Sequence, residues 1–271
     1  MTDEARRDDN EGVITVTFTR DSKRNAVTSA MFEVLQAAVR DLGDDDAQRV
    51  LIITGEGRYF TSGIDFKNLR PNIGEGTDGV QRGSNFRRQY RAEAYHDLLD
   101  EIEAIEKPVI LAAQAHCLGV GVELGASCDF RFATPEATFT LPEVANIATI
   151  PGSGGISRLT RIIGPAWTKW MAMAGESVGA EQAKQIGLVH DVFPAETFNE
   201  QVMTFARRLV ATPREAMGLA KIIIDAADSV DRRTAREIDR IAQTTLIMSE
   251  DHKSRVSTFL AGRAQSARTG H

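Results

Sequence analysis

The stretch His116-Cys117-Leu118-Gly119-Val120-Gly121-Val122-Glu123-Leu124 runs from a strand into a helix across two glycines. The apolar run Val109 to Ala115 before it has strand length. From Val120 onward the residues suit a helix. N–H groups at a helix start have no intrahelical acceptor, so they can bind an anion or a polarised carbonyl. Glu123 sits among Val, Leu and Ala, where burial raises a carboxyl pKa towards neutrality. Glycines beside a helix also serve as packing devices, and a glutamate in apolar company is also half of an ion pair elsewhere.

Two further segments repeat this design. Tyr59-Phe60-Thr61-Ser62-Gly63-Ile64-Asp65-Phe66 follows the strand Val50 to Thr54, and Gly63 permits a sharp turn that points N–H groups outward. One N–H from each segment could form an oxyanion hole, a device whose loss typically costs about 100- to 1000-fold in rate. Leu141-Pro142-Glu143 precedes Ile150-Pro151-Gly152-Ser153-Gly154-Gly155. It supplies a second carboxyl in apolar surroundings, and two carboxyls near one water suit general acid–base work.

Around these segments the chain alternates strands and helices. In Val13 to Thr19, Ile14, Val16 and Phe18 share one face and three threonines the other. Thr28 caps a predicted helix to about Leu42. Residues 70–83 read as a loop, 84–106 as a long helix ended by Pro108. Short strands follow at 129–133 and 137–140. The chain from Ile156 is helical: 156–163, 166–174, 180–186, 196–211, 213–227 and 232 to about 259. This pattern predicts an α/β core at 12–195, a helical region at 196–263, and flexible tails at 1–11 and 264–271.

Composition excludes several classes. The 271 residues carry 32 Lys and Arg against 38 Asp and Glu, a net charge of −6, with 42% apolar residues. That is an ordinary soluble composition without the basic footprint of a nucleic-acid binder. No apolar run reaches membrane length, and Met1 to Asn10 has no signal-peptide core. Cys117 and Cys128 read as buried reduced thiols of a cytoplasmic protein. No Cys or His spacing fits a metal site, and Asp44 to Asp46 is a solvated loop. G-x-G-x-x-G fails at Leu124 and again at Ser157, and neither a P-loop nor G-x-S-x-G occurs. His116 reads as a hydrogen-bonded structural histidine.

The ordered set resembles the crotonase family, the enoyl-CoA hydratase/isomerase superfamily, from about Gly12 to Arg263. The resemblance is carried by Lys23-Arg24-Asn25-Ala26, Leu51-Ile52-Ile53-Thr54-Gly55, Phe60 to Phe66, Lys107-Pro108-Val109-Ile110, Gly119 to Leu124 and Cys128-Asp129-Phe130. It continues through Pro142-Glu143, Pro151 to Gly155 and Ala183 to Val189. It implies a spiral of ββα units with C-terminal helices that build a homotrimer or homohexamer. It also implies an acyl-CoA thioester substrate, no metal or redox cofactor, and no nucleic-acid or membrane partner. The N–H groups of Ile64 and Val120 would hold the thioester oxygen. Ser62, Gly63, Asp65, Phe66, Lys67 and Gly119, with Lys23 and Arg24, would bind CoA, although a solvated turn also accounts for Lys23 and Arg24. Glu123 and Glu143 fall on the hydratases' two catalytic positions, implying water addition to a 2-enoyl-CoA. An enoyl-CoA isomerase needs only one carboxylate, and a non-catalytic acyl-CoA binder could keep the same fold. Glu143 and Pro151 stand eight positions apart, one residue more than in the hydratases.

Overall fold

The computed structural model describes residues 4–69 and 94–268. The expected loop at 70–83 and the first part of the expected helix at 84–106 lie outside them. The chain divides into two compact units, Met1–Val210 and Ala211–His271.

The first unit is a spiral of ββα turns. β1 (Ala5–Asn10), β2 (Val13–Phe18), β3 (Val50–Gly55), β5 (Val109–Ala113), β7 (Phe130–Ala133) and β10 (Asp191–Val192) form one sheet in that order. β4 (Tyr59–Thr61), β6 (His116–Leu118), β8 (Thr138–Thr140) and β9 (Val178–Gly179) form a second. The first strand of each turn enters the larger sheet and the second enters the smaller one. Thus β3 and β4, β5 and β6, and β7 and β8 are successive pairs. The register is parallel from Val13↔Val50 through Leu51↔Val109 to Ile110↔Phe130.

Helices complete the turns: α1 (Ser29–Asp44), α2 (Phe66–Leu69), α3 (Ala94–Ala104), α4 (Val120–Ser127), α5 (Glu143–Ile147), α6 (Gly155–Ala172), α7 (Ala180–Gln185) and α8 (Phe198–Val210). Thr28 caps α1 through its hydroxyl, which accepts from the Met31 N–H at 3.3 Å. Met31, Phe32, Leu35, Ala38, Val39 and Leu42 turn inward, as their spacing predicts.

Five readings change. Residues 5–10, expected as part of a frayed tail, pair antiparallel with β2 from Ala5↔Phe18 to Asn10↔Val13. Their charged side chains hid the strand because it lies at the sheet edge, where side chains can face water. β2 buries both faces, including Thr17, since a second apolar layer formed with Phe198, Val202 and Ala206 covers Val13, Val50, Ile52, Ile110 and Phe132. α8 therefore belongs to the first unit, and the unit boundary falls at Val210 instead of residue 195. The predicted helix from 232 to 259 is two, α10 (Arg232–Ile247) and α11 (Glu250–Arg268), with α9 (Arg214–Ala227) before them. Ser249 makes the break: its hydroxyl donates to the Leu246 carbonyl and accepts from the His252 N–H. α11 also runs past residue 263, into the segment expected as a tail.

The two helices expected at 156–163 and 166–174 meet at a kink inside α6, where Gly164 has φ 74° and ψ 165° ahead of Pro165. Both cysteines are free and buried. Among the described residues no helix is long and apolar enough to cross a membrane.

Candidate active site

Two turns at the ends of neighbouring strands build the floor of the site. After β4 the Thr61 hydroxyl donates to the Asn25 carbonyl at 2.7 Å and accepts from the Gly63 N–H at 3.1 Å. Gly63 takes φ 100°, a region that side chains rarely allow. Ile64 then bridges Val27. The Val27 N–H donates to the Gly63 carbonyl, and the Asp65 N–H donates to the Val27 carbonyl, each at 2.9 Å. A parallel bridge of this kind uses the neighbours of Ile64, so the N–H of Ile64 points away from Val27.

The second turn is Gly119, the N-cap of α4, at φ 55° and ψ −121°. Its N–H donates to the Thr140 carbonyl at 2.9 Å. Val120 opens the helix, so its N–H has no acceptor within α4. A Cβ added to Gly119 would lie 3.7 Å from the Gly63 Cα and 2.7 Å from Glu143 Oε1. The two turns therefore abut, and the space a side chain would fill belongs to a carboxyl group. Gly121 has the other use of glycine, since a Cβ there would collide with the Thr61 side chain. Of the two glycines that begin the motif, Gly119 serves the site and Gly121 serves packing.

A cleft of about 730 Å³ opens at these turns. Glu123, one turn into α4, is 3% exposed. Its Oε1 accepts from the Ser153 N–H at 2.7 Å. Burial pushes its carboxyl up to about 7, and the nearby Glu143 pushes the same way. The N–H groups of Ser153 and Gly155 and the Arg158 guanidinium pull against that rise. Glu143 opens α5, and burial raises its pKa too. Its Oε2 is buried and accepts no hydrogen bond among the described residues. α5 ends on Ala148 at φ 52°, with the N–H groups of Ala148 and Thr149 returning to the Glu143 carbonyl.

Of the residues singled out in the sequence, Ser62, Gly63, Ile64, Phe66, Gly119, Val120, Glu123 and Glu143 all line this cleft. Lys23, Arg24, Asp65 and Lys67 are not among its lining residues. Asp65 pairs with Arg20 at 2.7 Å and accepts from the Lys67 N–H at 3.1 Å. The Arg24 guanidinium lies over the Tyr59 ring, 5.6 Å from its centroid. His116 stands outside the lining, with Nδ1 2.8 Å from Thr138 Oγ1, as a structural histidine would.

Sequence reasoning missed His96 and Arg158. α3 brings His96 to the cleft, with Nδ1 2.6 Å from Ser153 Oγ. Buried Arg158 donates to the Ser153 carbonyl at 2.6 Å and pairs with Asp100 and Glu103. No local pattern marks either residue, because each acquires its role from a partner more than fifty positions away, apart from the Arg158–Ser153 bond.

The enoyl-CoA hydratase/isomerase family model matches residues 8–266. The 2,3-dehydroadipyl-CoA hydratase of Escherichia coli K12 is 31% identical over 93% of both chains. The 1,2-epoxyphenylacetyl-CoA isomerase of the same strain is 29% identical over 94% of both. The crystal structure of an enoyl-CoA hydratase from Bacillus anthracis superposes with a TM-score of 0.85, at 28% identity over 96% of both chains. The spiral of ββα units and the match along nearly the whole sequence place this chain in the crotonase superfamily, as a member of the enoyl-CoA hydratase/isomerase family.

Proposed function

We propose that this protein is a 2-enoyl-CoA hydratase. The observation that carries the reading is the pairing of Glu123 and Glu143 in one cleft with the turns of Ile64 and Val120. In this scheme the two main-chain N–H groups hold the thioester oxygen and stabilise it as charge develops. Water sits between the carboxyls. Glu123 takes its proton as the oxygen attacks C3, and Glu143 delivers a proton to C2 of the enolate-like species. Neighbouring carboxyls in a buried site carry one proton between them more readily than two charges, which suits one base and one acid. The chemistry calls for no metal or redox cofactor. Ser62, Gly63, Phe66 and Gly119 flank the CoA arm, with Lys23, Arg24, Asp65 and Lys67 on its outer side.

The test is product analysis in heavy-oxygen water. A 3-hydroxyacyl-CoA labelled at C3 is expected, and Glu123→Gln and Glu143→Gln should each lower turnover by about 100-fold or more. Near-normal turnover in both variants would overturn the scheme. One observation favours a second reading, an enoyl-CoA isomerase. Glu123 is held by two N–H groups, whereas Glu143 keeps a buried oxygen without a partner and could shuttle a proton alone. That enzyme would convert 3-enoyl to 2-enoyl thioesters without incorporating label. Binding of CoA esters with no turnover would instead identify a non-catalytic acyl-CoA binder.

A further inference from the structure

Ser153 is gripped from three sides. Its N–H donates to Glu123 Oε1 at 2.7 Å, its carbonyl accepts from Arg158 at 2.6 Å, and its hydroxyl lies 2.6 Å from His96 Nδ1. The residue is 4% exposed and stands between two glycines, so its neighbours give its peptide little restraint of their own. Arg158 fixes one end of that peptide and is itself anchored by Asp100 and Glu103 of α3. His96 comes from the same helix, four residues before Asp100, and reaches the serine from the cleft side. α3 is in turn seated by Tyr95, whose ring stacks on Phe32 at 5.1 Å.

We propose that His96 is a positioning residue, which holds the Ser153 hydroxyl and thereby keeps the Ser153 amide on Glu123. The inference rests on the hydratase reading only for its effect on turnover. The charged groups acting on Glu123 are Glu143 and Arg158, while Asp97 and Asp100 line the cleft beside His96. None of them touches the Ser153 hydroxyl in the way His96 does. The amide of Ser153 favours the ionised form of Glu123, so loosening it raises the carboxyl's titration midpoint and lets the side chain drift from the reacting carbon.

The experiment follows Glu123 directly. Carbon-13 glutamate NMR, assigned with Glu123→Gln, gives its titration midpoint in the full-length protein without substrate. His96→Ala and Ser153→Ala should each move that midpoint upward by about half a pH unit or more. His96→Asn, which returns a polar atom to the place of Nδ1, should restore it. In turnover, both alanine variants should lose about 10- to 100-fold in kcat with KM little changed, and the double variant should be no worse than either single one. An unmoved midpoint in His96→Ala, or losses that multiply in the double variant, would overturn the proposal. Failure of the hydratase reading looks different: Glu123→Gln would keep normal turnover while the midpoint still responded to His96.

Discussion

Glu123 is a carboxyl that folding forces out of water, and its thermodynamics follow from that. Its pKa rises from an ordinary 4.5 to about 7 because burial penalises the charge. The folded state therefore binds the proton more tightly than the unfolded chain. Below about pH 4.5 both states are protonated and the group costs nothing. As pH climbs to about 7 the unfolded chain ionises first, and stability falls by an amount on the order of 3 kcal/mol. Glu123→Gln removes that cost while keeping an oxygen for the Ser153 N–H. Thermal melts should show the variant gaining on the parent from pH 5 to 7, with a constant advantage above; equal melting curves across that range would contradict the raised pKa. Gly119 gives a second prediction at this scale. Alanine there would meet Glu143 Oε1 at 2.7 Å and must adopt φ 55° with ψ −121°. Gly119→Ala should cost about 100-fold in turnover of a 2-enoyl-CoA and destabilise the fold by about 1–3 kcal/mol, measured by steady-state kinetics and urea unfolding.

α4 carries both the Gly119 turn and Glu123, so whatever fixes its far end matters to the site. Buried Arg131 does so from β7. It donates to the carbonyls of Gly125 and Cys128 at the end of α4, and to Leu188 at 2.7 Å. Arg131→Met would fill much of the volume but take a charged donor from the Cys128 and Leu188 carbonyls in the interior, while the Gly125 carbonyl keeps the Cys128 N–H. A loss of about 3 kcal/mol in denaturant unfolding is expected. α5 offers the opposite case. Ala148 sits at φ 52° with no glycine to ease it, so Ala148→Gly should raise stability by about 0.5–1 kcal/mol. Unchanged stability would mean that the turn is relaxed in spite of its dihedral angle. The extra residue in that segment was legible as a spacing of eight. How the segment turns was not, since the turn depends on the return bonds to the Glu143 carbonyl.

At the scale of the molecule, the unit beginning at Ala211 exposes Ile222, Ile224, Ile241, Met248, Phe259 and Leu260. So many large apolar side chains in open water mark a surface that associates. We propose that copies of the chain associate through this surface, as a homotrimer or homohexamer. Light scattering at micromolar concentration should give three or six times 29.6 kDa. A monomer at that concentration would refute the assembly.

What the amino-acid sequence determined by itself was the main strands and helices of the core from β2 to β8, the strand-to-helix turns at Gly63 and Gly119, and the two carboxyls in apolar company. These are local facts. Periodicity, glycine at a positive φ and a cap at Thr28 act over a few residues, so they can be read in line. Only the tertiary structure decided that those turns abut, that β1 is an edge strand, that both faces of β2 are covered, and that His96 and Arg158 converge on Ser153. β1 is at the edge because it pairs antiparallel with β2 alone; the other results depend on the stacking of successive ββα turns, which brings together residues far apart in the chain with no local pattern to announce the meeting.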